Sequence, residues 1–317
     1  FVDECSTIDN RTMCDFLEKI KKNTFLVLAG DIHQIESIDF GNWFFYAKDI
    51  ITTYGSNVEL MNTWRTKDPD IVSLWNDVRN KGDLITEKLS MDGPFSDIIG
   101  EGIFAEKWDD EVILCLNYDG KFGLNNMNSY FQNDNSHEEP IAWKEWTYKI
   151  GDHILFNDSQ RFSILYNNLK GKIVNIERTS NEISFTIDVF TNLTKDLCEK
   201  HDIEFIAAQE DSTRIRFSVY AYDESAKTVN ENVRMLSVVP FQLAYAVSIH
   251  KAQGLEYDSV KVIIPKSNSE KITHGIFYTA ITRAKKKLKI YWSSEIMNEI
   301  VESFSAEKTT QRSLEMI

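Results

Sequence analysis

Three short apolar runs limit what this chain can fold into. Phe25-Leu26-Val27-Leu28-Ala29, Glu111 to Leu116 and Val260-Lys261-Val262-Ile263-Ile264 each read as a buried strand. Strands covered on both faces belong to parallel sheets, where crossover helices pack on either side and remove the polar alternation of a half-wet strand. Helical spacing elsewhere agrees. Met13, Phe16, Leu17 and Ile20 recur on one helix face. Asp68-Pro69 is a cap followed by proline at the first helical position, with Ile71, Val72, Trp75 and Val78 along one side. Ile276 to Lys286 reads as a further helix and Leu288-Lys289-Ile290-Tyr291-Trp292 as a closing strand. The class is α/β.

The middle of the chain has another texture. From Tyr148 to Phe156 a series of short strands begins and continues through Gly171, Ile176, Phe185 and Phe217, with turn residues between them, as in a small β-barrel. The simplest parse places one α/β lobe at 1–107, a second at 108–145 and 239–317, and the barrel as an insertion at 146–238. A length of 317 residues fits two or three domains.

The net charge of −14, from 35 basic and 49 acidic residues, argues against coating nucleic acid by bulk electrostatics. A local groove stays open, because Arg283, Lys285, Lys286, Lys287 and Lys289 crowd one segment. Cys5, Cys14, Cys115 and Cys198 lack metal-site spacing and read as free thiols in a reducing compartment. No apolar run approaches a membrane span and Phe1 does not begin a signal peptide, so a cytoplasmic location is expected.

Chemistry concentrates in a few places. Phe1-Val2-Asp3-Glu4 ends a strand in adjacent carboxylates. In a nucleotide hydrolase the first of such a pair holds Mg²⁺ and the second polarises the attacking water. Their usual companion, a glycine-rich loop ending in Lys-Ser or Lys-Thr, has no match here. Gly171-Lys172 is followed by Ile173, and Tyr166 stands where the opening glycine belongs. Ser248-Ile249-His250-Lys251-Ala252-Gln253-Gly254-Leu255-Glu256-Tyr257-Asp258 gathers polar groups just ahead of a buried strand, where open α/β sheets build ligand sites. On the expected helix, Phe277, Ala280, Ile281 and Ala284 share one face and Thr279, Arg283 and Lys286 the other, which lets Arg283 reach across a cleft to a phosphate.

In their order along the chain these segments resemble the superfamily 1 helicases, most closely the RecD-like and UvrD-like DNA helicases. Asp3-Glu4-Cys5-Ser6 is similar to the family's Walker B motif, and Gly30-Asp31-Ile32-His33-Gln34-Ile35 to its Gly-Asp-x-x-Gln-Leu motif. Leu60 to Thr66 resembles the Asn-Tyr-Arg-Ser box. Ser248 to Asp258 and Tyr278 to Lys285 resemble the two family motifs of the second lobe. The resemblance implies two RecA-like lobes, the first truncated at its N-terminus, with an SH3-like barrel inserted in the second.

It also implies roles. Asp3 would bind Mg²⁺, Glu4 would be the general base, and Gln34 would sense the γ-phosphate of ATP. Arg65 and Arg283 would clamp that phosphate, one from each lobe. Gln253, Gly254 and Glu256 would meet the nucleotide, with Glu256 accepting from the ribose. Ser248 and His250 would face single-stranded DNA, and Trp64 would stack on a base. Core packing explains Trp64 and His250 as well, and the inserted barrel reads equally as a spacer or as a wall guiding a strand. Thr63 and Ala252 depart from the family pattern. Without the phosphate loop these residues are expected to bind ATP poorly and not to hydrolyse it, so the helicase activity belongs to a longer protein. A non-catalytic nucleic-acid-binding module and a viral-type RNA helicase are the alternatives. A nuclease or repair partner stays unspecified.

Overall fold

The computed structural model describes residues 1–317 except 38, 40, 61, 106–108, 136–138, 222–235, 268–271 and 316–317, and only the backbone of 305–315. The boundary expected at 107 lies outside the described residues. The chain divides into two compact units, Phe1–Asn117 with Ser248–Ile317, and Tyr118–Val247.

The first unit is built on a parallel sheet. β1 (Ser96–Asp97) pairs with β13 (Ala284–Tyr291), β13 with β12 (Tyr257–Ile263), and β12 with β2 (Glu111–Cys115), all in parallel. Val112, Ile113, Leu114, Val260, Val262 and Ile263 are buried, as strands covered on both faces require. Phe277 stacks on Trp292 with ring centroids 5.6 Å apart and Phe304 closes over the pair. Aromatic rings in this arrangement bury large area and lock the helices to the sheet. The helix Pro69–Asn80 starts as expected: the Asp68 carboxylate accepts from the N–H groups of Asp70 at 2.9 Å and Ile71 at 3.2 Å. Its buried residues are Ile71, Leu74, Trp75 and Val78, and the Trp75 indole donates to the Ile281 carbonyl at 3.0 Å.

Two expectations are corrected. Phe25 to Ala29 is not a strand covered on both faces. Phe25 is 89% exposed, and Leu28 forms only an isolated parallel bridge with Val2. A parallel strand is buried by neighbours on both edges and both faces. Among the described residues only Val2 to Cys5 lies alongside this run, so the covering is incomplete. The helix Asn10–Lys19 shares that fate: Met13 is buried while Phe16 and Leu17 are exposed. The other correction concerns the helix expected at 276–286, which spans His274–Ile281. The Thr282 hydroxyl donates back to the Tyr278 and Thr279 carbonyls, at 2.9 and 3.1 Å, and the chain turns directly into β13. Ala284 pairs with Tyr257 and Leu288 with Val260 on β12, and Ala284, Leu288, Ile290 and Tyr291 are buried there.

The second unit opens with the helix Leu124–Asp134, whose C-terminal end receives the Lys149 ammonium on the Asn135 carbonyl at 3.0 Å. A hairpin follows, β3 (Ile141–Trp143) with β4 (Trp146–Tyr148). Then comes an antiparallel sheet of β5 (His153–Phe156), β6 (Lys170–Arg178), β7 (Glu182–Val189), β8 (Glu204–Ala208), β9 (Thr213–Tyr220) and β10 (Phe241–Leu243), in the order β10-β5-β6-β7-β9-β8. Its core is aromatic: Phe185 meets Phe241 edge-on at 5.0 Å, and Phe162 lies 5.1 Å from Phe217. Asp152, fully buried, ties the entry to this sheet by accepting from Gln132, the Lys149 N–H and the Tyr245 hydroxyl at 2.7, 2.8 and 2.9 Å. A buried carboxylate is tolerated when it is satisfied in this way.

Candidate functional site

The residues with chemistry gather within the first unit. Val2 and Cys5 are fixed by backbone bonds to Val27 and Ala29, each 2.9 Å, which holds the Asp3-Glu4 corner. Glu4 takes left-handed backbone angles, φ 51° and ψ 40°, that a non-glycine residue adopts at a cost of about 1–2 kcal/mol. Its N–H donates to the Asp3 carboxylate at 2.9 Å. Gly30 lies against the corner, where an added Cβ would meet the Phe44 ring at 2.8 Å and the Cys5 nitrogen at 3.0 Å. Burial raises the Glu4 pKa, as do Asp3 and Asp31, against the lowering pull of Arg283 and Arg65. A carboxylate raised by burial and facing two guanidiniums is suited to accept a proton.

Gln34 follows on the next loop. The Asp31 carboxylate accepts from the His33 N–H at 3.0 Å, and the Gln34 N–H donates to the Asp31 carbonyl at 3.2 Å, closing a tight turn. Burial pushes the His33 imidazole down to about 4, which keeps it neutral. The Gln34 carboxamide oxygen is buried without a hydrogen-bond partner, as are the Gln253 carboxamide nitrogen and the Ser6 hydroxyl. Buried orphan groups are rare and costly, and they mark places where a bound group is wanted.

The arginines come together at the end of the helix His274–Ile281. Arg283 is 1% exposed, and its guanidinium donates to the Thr279 carbonyl at 2.8 Å, the Leu255 carbonyl at 3.2 Å and the Thr282 hydroxyl at 3.0 Å. Burial and the neighbouring Arg65 push its pKa down to about 10, while Glu4, Tyr278 and Asp31 act the other way. Arg65 donates to the Thr282 carbonyl at 2.7 Å and to the Glu256 carboxylate at 3.1 Å. Gly254, at φ 75°, brings the loop backbone up to the acidic corner: a Cβ there would lie 3.8 Å from the Glu4 carboxylate. Glu4, Gly254, Glu256, Arg65 and Arg283 thus share one neighbourhood.

Other expectations fall differently. Arg283 lies beyond the helix, and Lys286 lies on β13 with its ammonium 2.8 Å from Asp258, so Thr279, Arg283 and Lys286 do not share a helix face. Lys285 sits 3.2 Å from Asp258 and 3.5 Å from Asp110, so the basic segment is partly neutralised by its own acids. Ser248 is buried, and its hydroxyl accepts from the Lys251 N–H at 3.2 Å. His250 is exposed. Trp64 is 91% exposed. Sequence reasoning put Thr279 beside Arg283 but missed Thr282, whose hydroxyl accepts from the Arg283 guanidinium.

Among the described residues no group of three or more His, Cys, Asp or Glu side chains is arranged to hold a metal ion. Mg²⁺ bound through one carboxylate, water and substrate phosphates needs no such group. No described helix is long and apolar enough to cross a membrane.

Comparison with known proteins relates the chain to helicases. Residues 1–92 match the AAA domain family and residues 243–291 the UvrD-like helicase C-terminal domain. The RecBCD enzyme subunit RecD of Buchnera aphidicola subsp. Acyrthosiphon pisum (strain APS) is 23% identical across 93% of this chain, and the match spans 54% of that subunit. The chain thus spans about half the length of that curated relative. The Pif1 helicase from Candida albicans superposes with a TM-score of 0.54 at 14% identity, covering 97% of this chain and 76% of that one. A Bacteroides Pif1 helicase in complex with ADP-AlF3 and ssDNA gives 0.51 at 14% identity, covering 99% and 74%. At such identity the structural likeness speaks for the fold. Taken together, the two family matches and the likeness to RecD make the chain similar to superfamily 1 helicases of the RecD type, with a fold like that of the Pif1 helicases.

Proposed function

We propose that this chain is part of an ATP-dependent DNA helicase that moves along single-stranded DNA, with ATP hydrolysed between two RecA-like lobes in the domain scheme set out from the sequence. The convergence of Glu4, Arg65 and Arg283 carries the reading, because a base and two cations around one space fit phosphoryl transfer to water. The orphaned amide ends of Gln34 and Gln253 support a fit to a polar, multiply hydrogen-bonding ligand. Bound ATP with Mg²⁺ would supply the phosphoanhydride and the charge that activates it.

The chain's own residues do the rest. Asp3 would hold Mg²⁺ and Glu4 would take the proton of the attacking water. Gln34 orients that water and registers the terminal phosphate. Arg65 and Arg283 stabilise charge on the transferred group, with Gln253, Gly254 and Glu256 beside the nucleotide. Trp64 and His250, both exposed, would face the strand, Trp64 as a stacking surface, and the buried Ser248 would stand behind them. The antiparallel sheet of the second unit is read as an SH3-like barrel, supported by its single aromatic core. A cytoplasmic location goes with the free thiols. These 317 residues hold no phosphate loop and are not expected to turn over ATP by themselves. A purely nucleic-acid-binding module is less well supported, given the net charge of −14 and the neutralised lysines.

The test is ATP hydrolysis by the complete protein with single-stranded DNA or RNA of equal length. Stimulation by DNA of at least about tenfold is expected, as binding closes the lobes. Stronger stimulation by RNA would favour the RNA helicase, and no hydrolysis with either would leave the binding module.

A further inference from the structure

The loop that carries Gln34 rests on the helix that leads to Arg283, and the contacts fall on one strip of that helix. The Ile35 N–H donates to the Thr279 hydroxyl at 2.9 Å, a buried bond across a long separation in sequence. Burial and the nearby Asp31 carboxylate raise the Tyr278 pKa. Gly275 lies beneath the Gln34 carbonyl, and a Cβ there would come within 2.9 Å of that oxygen. The His33 ring meets His274 and Tyr278 edge-on, at 6.4 and 6.2 Å, while the His274 ring is bonded to the Val78 carbonyl at 2.6 Å. Positions 275, 278 and 279 are spaced by three and four residues, so they form one stripe of the helix surface.

We propose that Gly275 and Thr279 are positioning residues: they seat the Gln34 loop on this helix and so set the Gln34 amide against the arginine that the same helix delivers. The proposal rests on the helicase reading for its consequence in turnover, but not for the seating itself. Gly275 fits because only a residue without Cβ lets the loop carbonyl approach the helix so closely. Thr279 contributes twice. Its hydroxyl receives the Ile35 N–H of the loop and its carbonyl receives Arg283 at 2.8 Å, so one residue touches both the loop that carries Gln34 and the arginine. A shift of the helix that carries the seated loop with it therefore moves Gln34 and Arg283 together.

Two readouts test this. In the 317-residue chain, Thr279→Val removes the hydroxyl while keeping the shape, and Ile35 amide hydrogen exchange is expected to accelerate at least about tenfold. The amides of Val260 and Val262 on β12 should exchange as before, and Thr279→Ser should restore the protection. In the complete protein, Thr279→Val and Gly275→Ala should each lower kcat at least about tenfold with KM for ATP within about threefold, and Thr279→Ser should recover it. Unchanged Ile35 exchange in Thr279→Val, or kcat equal to that of the parent protein, overturns the proposal. If the parent protein hydrolyses no ATP, the helicase reading fails, and exchange at Ile35 alone decides the seating.

Discussion

Arg283→Ala in the complete protein is expected to lower strand-stimulated ATP turnover by about 10³-fold or more, the range over which an arginine stabilises phosphoryl transfer. The structure gives two reasons for so large an effect. The guanidinium is held by Thr279, Leu255 and Thr282, so it is already aimed and loses little freedom when charge develops. It is also buried, where an electrostatic contribution is screened far less than at a surface. Alanine leaves the Thr279 and Leu255 carbonyls without this donor, so folding must be followed in parallel by thermal unfolding. Arg283→Lys separates the two effects. It keeps the charge in place but cannot donate as a planar fork, and most of the turnover should still be lost. Turnover in Arg283→Lys within about threefold of the parent would sink the proposed clamp.

The other large effect lies in the sheet. Lys261 and Glu111, with side chains 4% and 10% exposed, form an ion pair of 2.9 Å between β12 and β2. The Lys261 ammonium also donates to the Ile103 carbonyl at 2.8 Å, and Glu111 accepts from the Ser259 hydroxyl at 2.8 Å. Glu111→Ala leaves a buried ammonium without its counter-charge, and the expected loss is about 3–5 kcal/mol. Replacing both, Glu111→Leu with Lys261→Met, substitutes apolar volume for the pair and should recover most of that loss. Urea unfolding of the 317-residue chain measures both. A single variant costing under about 1 kcal/mol would mean that the pair is not desolvated as described.

Much of this was legible in the residues, and what was not has physical causes. Glu111–Cys115 and Tyr257–Ile263 announced themselves, since apolar runs of that length in a parallel sheet carry their own burial. The helix at Pro69 was fixed by its cap and proline. The site residues Glu4, Arg65, Glu256 and Arg283 were all named from motifs, and the structure brings them together. Misreading came where local pattern depends on distant partners. Phe25 to Ala29 has the composition of a covered strand but only the Val2 bridge beside it. Ala284 to Lys286 looks helical by spacing, yet pairing with β12 claims it as strand. The pairing of Arg65 with Glu256 was invisible because each had been assigned to the nucleotide separately. The seating of Ile35 on Thr279 joins segments far apart in sequence, which no local pattern announces.

The central claim is that the strained acidic corner at Glu4 and the arginines facing it act on one bound nucleotide. Glu4→Gln in the complete protein tests it most directly, because it removes the base while keeping the size and hydrogen-bonding outline of the side chain. ATP should still bind, with Kd within about threefold of the parent, while hydrolysis stimulated by single-stranded DNA falls at least about 10²-fold, as expected for loss of a general base. Hydrolysis at the parental rate in Glu4→Gln would contradict the account.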